Sequence, residues 1–157
     1  MDGSSIDPAS VQDLMGRWWF NYDEGNFVVL AGIVAPDVHF SCRTDTGTTG
    51  YEDFVRADIH GRDAVMRWQE THRINSPYPL RHNATNVHIV ERRGEEASFA
   101  SYILVTQIVE GRVSNLSTAI VNGNVRSVDG GLQLTRLEVV LDTQSSAAFG
   151  EVRTLRA

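Results

Sequence analysis

Residues 18–27 read WWFNYDEGNF, a stretch in which an aromatic helix face runs into two carboxylates and a glycine. Asp7 and Pro8 supply a capping side chain and a proline suited to the first helical turn. The apolar residues that follow recur at spacings of three, four and seven: Val11, Leu14, Met15, Trp18, Trp19 and Tyr22. We therefore predict an amphipathic helix that buries this face. Its last turn carries Tyr22 and Asp23 to the edge of the core, where a carboxylate is tolerated only if it is paired.

The composition of the chain is that of an ordinary globular protein. It has 157 residues, of which 41% are hydrophobic and 22% charged, and we expect one domain over residues 1–157. Residues 1–7 and 144–157 are expected to be loose tails or subunit contacts. The net charge of −6 gives no basic surface for nucleic acid. Neither a signal peptide nor a membrane-spanning apolar run is visible, so we expect a cytoplasmic protein that binds no membrane.

The chain changes character midway, from helices to long strands. A short helix is predicted from Asn26, a strand at 38–43 and a further helix at 61–73. Four strands follow, at roughly 81–92, 96–109, 112–127 and 132–143, and the last turn contains Asp129-Gly130, a pair typical of tight hairpins. This order favours an α+β fold in which the N-terminal helices pack on a strongly curved, mostly antiparallel sheet. Such a sheet can enclose a ligand cavity.

His82 and Asp23 are the strongest candidates for chemistry. His82 opens the first long strand, and Asn86 is expected to share its face of the sheet. A histidine oriented by a carboxylate is a general acid or base, and the Tyr22 hydroxyl could polarise a carbonyl oxygen. The alternatives stay open at this point. His82 could be a surface or structural histidine, Asp23 a helix-end residue and Tyr22 a packing residue.

Patterns for metals and cofactors are missing from the sequence. The five histidines form no HxH or HExxH motif, Cys42 is the only cysteine, and no GxGxxG or P-loop pattern occurs. We therefore predict no metal site and no cofactor.

A resemblance to a known family rests on the order of several short motifs. Tyr22-Asp23 is followed by EGNF, then APDVHF (35–40), LRH (80–82) and VDG (128–130). Over residues 8–143 the chain resembles the SnoaL-like branch of the nuclear-transport-factor-2-like superfamily, nearest to scytalone dehydratase, with bile-acid dehydratase as a relative. The resemblance implies a cone-shaped, cystatin-like barrel with a deep apolar cavity, assembled as a homo-dimer or homo-trimer.

The resemblance also implies roles for individual residues. His82 would shuttle the proton, Tyr22 would help to hold a polarising water, and Asp23 would orient a second histidine. That histidine would fall near Ser101 or Tyr102, and neither position holds one. Asp23 is then expected to pair with His82 directly, and Tyr102 to supply a hydroxyl.

The residues expected to contact a ligand, besides these three, are Tyr102, Ser101, Trp19, Phe40 and Asn86. The family's second water-holding tyrosine would fall near Phe40 or Cys42, which cannot replace it.

Three functions are compatible with the sequence. The first is a cofactor-independent lyase or isomerase, acting by His/Asp acid–base chemistry on a small, apolar, cyclic or polyketide-like carbonyl compound. The second is a non-catalytic binding or assembly module, similar to the small subunit of aromatic-ring dioxygenases. The third, epoxide hydrolysis, would draw on Arg136 and Glu138, which share a strand face.

Overall fold

The strands predicted after residue 80 form one sheet with the earlier strands, and helices pack against it. The computed structural model describes residues 6–153. Its helices and strands are α1 (Pro8–Asp23), α2 (Phe27–Gly32), β1 (Val34–Thr44), α3 (Glu52–Val55), β2 (Ala57–His60), α4 (Arg62–Ile74), β3 (Leu80–Arg93), β4 (Glu96–Val109), β5 (Arg112–Val128), β6 (Gly131–Leu141) and α5 (Phe149–Arg153).

The six strands lie in the order β2-β1-β6-β5-β4-β3, so β2 and β3 are the two edges of an open sheet. All pairs are antiparallel except β1–β6, which is parallel. The hairpin β5–β6 turns at Asp129 and Gly130, whose φ angles of 48° and 80° suit a two-residue turn with a left-handed backbone. The predicted α+β fold with a curved, mostly antiparallel sheet is confirmed.

Helix α1 forms where its cap and its periodicity predict it. The Asp7 side chain accepts a hydrogen bond from the backbone N–H of Ser10 at 3.0 Å. The predicted apolar face is buried along its whole length. The helix packs along the edge strand β3, where the Gln12 side chain donates to the carbonyl of Val87 at 3.3 Å. Because α1 runs beside β3, its last turn meets the first residues of that strand.

Helix α4 is tied to the end of α1 by a buried arginine. The Arg73 guanidinium donates from Nε and Nη2 to the backbone carbonyl of Asp23, at 3.0 and 2.8 Å. Its Nη1 donates to the carbonyl of Pro77 at 2.9 Å. This one side chain therefore fixes the C-terminus of α1 against α4 and the loop that enters β3.

Two short elements, α3 and β2, were not predicted. Each has four residues, too few for a hydrophobic period to show. The buried Glu52 carboxylate holds this region together by accepting hydrogen bonds from the hydroxyl of Thr44, at 2.5 Å, and from Arg56, at 3.2 Å. These bonds lower the pKa of Glu52, the hydroxyl of Thr44 contributing most.

The structure describes part of each terminal segment. Ile6 is buried in the core, and its carbonyl accepts a hydrogen bond from Arg92 at 2.9 Å. Near the other end, residues 149–153 form α5. Residues 1–5 and 154–157 lie outside the described residues. Among the helices of residues 6–153, none is long and apolar enough to cross a membrane.

Candidate active site at the end of the first helix

Asp23 and His82 form a close, nearly buried pair. The Asp23 Oδ1 lies 2.6 Å from His82 Nδ1, and Oδ2 accepts the backbone N–H of His82 at 2.8 Å. The exposed fractions of the two side chains are 5% and 12%. The carboxylate thus holds both the ring and the backbone of His82, which is the direct pairing suggested by the sequence.

The His82 ring is fixed on a second side by aromatic contacts. It stacks on Trp19 with a centroid distance of 4.6 Å and an angle of 7° between the planes. Tyr22 meets it edge-on at 5.3 Å. Within residues 6–153, His82 Nε2 makes no hydrogen bond, so this nitrogen is the one available for proton transfer.

Tyr22 contacts a histidine that the sequence analysis did not single out. Its hydroxyl oxygen lies 2.5 Å from Nδ1 of His72, a residue of α4. Phe54 and Trp68 stack on the His72 ring, with centroid distances of 4.4 and 4.6 Å. Burial is the main cause that lowers the pKa of His72 to about 4, with help from the charges of His82 and Arg73. Burial also raises the pKa of Tyr22, so at neutral pH the tyrosine is protonated and His72 is uncharged.

We assign the proton of this bond to the tyrosine, so that Nδ1 of His72 is the acceptor. His72 then carries its own proton on Nε2, which is buried and has no hydrogen-bond partner among the described residues. The Tyr22–His72 pair is a second polar unit beside the Asp23–His82 pair.

His82 of the first pair and both residues of the second line an internal cavity of about 70 Å³. Aromatic and aliphatic side chains form most of its wall, and the full lining is Trp19, Tyr22, Phe40, Cys42, Val55, Trp68, Gln69, His72, His82, Ile103, Val139 and Leu141. The cavity is smaller than the deep one implied by the resemblance, because bulky rings such as Trp19, Phe40 and Trp68 fill the space. Burial raises the pKa of the Cys42 thiol to about 12, so the cavity wall carries no thiolate.

A groove of about 490 Å³ runs outside this cavity, between α1 and β3. Trp19 and His82 line both volumes, so their stacked rings border the groove as well as the cavity. Asp23 and Asn86 also line the groove. Two larger clefts, of about 600 and 610 Å³, contain neither Asp23 nor His82.

Three of the residues predicted to contact a ligand lie away from the cavity. Tyr102 is 55% exposed, so the structure does not bring its hydroxyl to the dyad. Ser101 is buried, but it lines a separate surface pocket. Asn86 does not share the inward face of His82, because the β3–β4 register shifts between Thr85 and His88 and interrupts the alternation of side chains. Trp19 and Phe40 do line the cavity.

Two other polar clusters lie outside this site. His39, Asp58 and His60 have ligand atoms within 4.8 Å of one another. The rings of His39 and His60 stack in nearly parallel planes, 4.0 Å apart, so their in-plane lone pairs do not converge on one point. Arg136 and Glu138, considered for epoxide hydrolysis, form an ion pair with each other at 2.9 Å and line neither the cavity nor the groove.

His72 and Gln69 were not predicted as site residues. Both lie on α4, at positions 69 and 72, and 69 continues the buried i, i+4 series that begins at Val65 and ends at Arg73. A polar residue at a position of that buried face was the signal that could have identified Gln69. No local signal could have paired His72 with Tyr22, 50 residues away.

Comparison with known proteins places the chain in a family. The model of the SnoaL-like domain matches residues 4–138. The chain belongs to the SnoaL-like domain family. No curated protein sequence matches it.

Solved structures similar to this SnoaL-like domain share its fold. An NTF2-like protein with a cystatin-like fold from Novosphingobium aromaticivorans is 20% identical, with a TM-score of 0.69, covering 93% of this chain and 88% of that one. A candidate scytalone dehydratase from the same organism is 18% identical, with a TM-score of 0.65 and 89% of each chain covered. The beta subunit of a candidate aromatic-ring-hydroxylating dioxygenase, again from that organism, is 13% identical, with a TM-score of 0.69, covering 90% of this chain and 93% of that one. At these identities the likeness concerns the fold alone.

Proposed function

We propose that this SnoaL-like domain is a cofactor-independent lyase or isomerase that acts on an apolar carbonyl compound, with His82 as the acid–base residue. The observation that carries the proposal is the Asp23–His82 pair, which is held at 2.6 Å and nearly buried. A carboxylate in this position fixes the ring tautomer and stabilises the imidazolium that forms when the ring takes up a proton.

The reaction that fits these groups begins with removal of a proton from the carbon next to the carbonyl. His82 Nε2 takes the proton, and the C–H bonding electrons move onto the carbonyl oxygen to give an enolate. In a dehydration, the enolate expels a hydroxyl group from the neighbouring carbon, and the His82 imidazolium returns its proton so that water leaves. In an isomerisation, the same proton returns to a different carbon. Neither step needs a redox partner.

The environment of His82 accounts for the choice of base. Tyr22 is a poor base because burial raises the pKa of its hydroxyl. His72 is a poor base because burial lowers its pKa to about 4. The Asp23 carboxylate is already engaged by His82 and its backbone N–H. The remaining base with an unengaged nitrogen is His82.

The sizes of the groove and the cavity next to His82 determine where a substrate can bind. The groove between α1 and β3, at about 490 Å³, is within the usual range for small organic ligands. The internal cavity of about 70 Å³ is far below that range. We therefore assign the bulk of the substrate to the groove and only a small group to the cavity.

To test the proposal, the protein is incubated in D₂O with a panel of cyclic β-hydroxyketones and unsaturated ketones. Mass spectrometry follows deuterium uptake next to the carbonyl, and ultraviolet absorbance follows enone formation. We expect turnover by the wild type and a loss of about 100-fold or more in His82→Ala. His88→Ala, an exposed histidine of the same strand, is the matched control and should keep the wild-type rate. A His82→Ala variant as fast as the wild type would refute the role of His82.

Asp23→Asn separates the dyad from the histidine alone. The amide keeps the shape of the carboxylate but cannot stabilise an imidazolium, so we expect kcat to fall about tenfold or more with little change in KM. Asp13→Asn, an exposed aspartate of α1, should have no effect.

The size of the cavity favours a second candidate, a non-catalytic binding or assembly module. A fold whose interior is largely filled by side chains has little room for a substrate, and a structure of similar fold is the beta subunit of a candidate dioxygenase. In that case the panel should give neither deuterium uptake nor enone formation with the wild type, and the Asp23–His82 pair would serve only to join α1 to β3.

A further inference from the structure

Three residues that line the internal cavity each have a buried side-chain nitrogen with no hydrogen-bond partner within residues 6–153. These atoms are Nε1 of Trp19, Nε2 of Gln69 and Nε2 of His72. Trp19 is 6% exposed and Gln69 is 3% exposed, so bulk water does not satisfy them. Buried polar groups in folded proteins nearly always have partners, and leaving one unpaired is costly. We therefore expect a bound molecule in this cavity to accept hydrogen bonds from these atoms.

All three atoms are donors. An indole N–H can only donate, and an amide nitrogen carries two hydrogens. His72 Nε2 carries the proton because Tyr22 occupies Nδ1 as donor. The occupant must therefore supply an acceptor, most simply an oxygen with two lone pairs.

The other residues that line the cavity limit the chemical class of ligand that it can hold. The Tyr22 hydroxyl is used by His72, and the Cys42 thiol is protonated because burial raises its pKa. The other lining side chains, apart from His82, are aliphatic or aromatic, and no carboxylate lines the cavity. An ammonium group would find no counter-charge there, whereas an oxygen attached to a small apolar body would find both donors and apolar contacts.

We propose that Trp19, Gln69 and His72 form an anchoring site for the oxygen of a carbonyl compound. The inference rests on the proposed function in one respect: in that reaction this oxygen becomes the enolate oxygen when His82 takes the proton. Donors placed before the reaction stabilise the developing negative charge more than the neutral carbonyl. His82 and the three residues that carry these donors line the same cavity.

The test measures binding without turnover. Cyclobutanone and the hydrocarbon of the same shape, methylenecyclobutane, are titrated into the wild-type protein, and the indole N–H of Trp19 and the side-chain amide of Gln69 are followed by ¹H–¹⁵N NMR. Variants Trp19→Phe and Gln69→Met assign the two signals. We expect saturable downfield shifts with the ketone and tighter binding of the ketone than of the hydrocarbon. Both affinities are measured on the wild-type protein, and the variants serve only to assign the signals.

Gln69→Met supplies the second measurement, since methionine has a similar shape and no N–H. We expect the Kd for cyclobutanone to rise about fivefold or more, the effect of one lost hydrogen bond, and the Kd for methylenecyclobutane to stay within twofold. Gln133→Met is the matched control, because Gln133 lies on β6 and does not line the cavity. It should bind both ligands as the wild type does.

Three results would overturn the anchoring site: equal affinity for ketone and hydrocarbon, an unchanged ketone affinity in Gln69→Met, or no saturable binding of the ketone. The last would leave ordered water as the occupant. Ketone binding by a protein that turns over nothing in the panel would remove the proposed function and keep the site. If turnover depends on His82 but the protein binds the ketone no better than the hydrocarbon, the proposed function stands and the anchoring site is refuted.

Discussion

Asp23 shows how a carboxylate can stand among aromatic rings. Both of its side-chain oxygens accept hydrogen bonds from His82, and its backbone carbonyl accepts two from Arg73. Each bond replaces one that water would make, which offsets the cost of burial. The residue is therefore a structural joint between α1, α4 and β3 as well as a candidate for catalysis.

His72 gives the stability of the protein a measurable dependence on pH. Burial, as the largest cause, lowers its pKa from 6.5 to about 4 in the folded chain. Between these pH values the unfolded chain binds a proton that the folded chain does not, so stability falls as pH falls from about 6.5 to about 4. The loss from this residue alone is on the order of 3 kcal/mol at most.

Urea unfolding of the wild type and of His72→Phe at several pH values measures this contribution. The variant keeps an aromatic ring between Phe54 and Trp68 but cannot titrate, so we expect a flatter pH profile between about 6.5 and 4. His88→Phe, at an exposed position, should keep the wild-type slope. Parallel profiles for the wild type and His72→Phe would show that His72 is not a buried neutral base.

At the scale of the strands, the Phe99 ring of the neighbouring strand β4 requires a glycine at position 123 of β5. A Cβ added there would lie 2.4 Å from Cζ of Phe99 and 2.7 Å from the carbonyl of Arg136. Phe99 is fully buried, and it faces Gly123 in the β4–β5 register. The Phe99 ring therefore occupies the space that a side chain at position 123 would need.

Gly123→Ala should destabilise the protein by about 1–3 kcal/mol, because the clash involves a buried ring and backbone, which yield poorly. Gly16→Ala, in the middle of α1, is the matched control: apart from the adjacent residues and the backbone of the helix itself, no described heavy atom lies within 4 Å of the added Cβ. That substitution should stabilise by roughly 0.5–1 kcal/mol through helix propensity. Thermal and urea unfolding measure both. Gly123→Ala with wild-type stability would mean that Phe99 packs differently.

At the scale of the whole molecule, the open sheet ties the two halves of the chain together. The parallel pairing of β1 with β6 joins the N-terminal helical half to the C-terminal meander. Strand β5 lies between β4 and β6, and its inward residues Val121 and Val125 are fully buried. Strand β2 is a four-residue edge.

This arrangement predicts a gradient of local stability. We expect backbone amides of β5 to exchange with deuterium most slowly, near the rate set by global unfolding, and those of β2 and α5 to exchange much faster. Peptide-level hydrogen exchange with mass spectrometry measures the order. Equal protection of β2 and β5 would show that the β2 edge is covered, for example by a second copy of the chain.

The sequence by itself determined the features that depend on neighbours along the chain. The cap and period of α1, the meander of four long strands and the Asp129-Gly130 turn follow from local rules, and the structure contains each of them. The motif order also pointed to the SnoaL-like family, which is confirmed. Short elements such as α3 and β2 were not predicted, because four residues are too few to show a hydrophobic period.

Only the tertiary structure decided which side chains meet. The close approach of Asp23 to His82 spans 59 residues, and that of Tyr22 to His72 spans 50. The register shift in β3 takes Asn86 away from the inward face of the strand, although a regular strand would have placed it on the same face as His82. Burial, and with it the lowered pKa of His72 and the three unpaired donors, depends on how helices pack over the sheet. Local sequence rules govern φ, ψ and periodicity, whereas contacts across the chain depend on packing that no single stretch encodes.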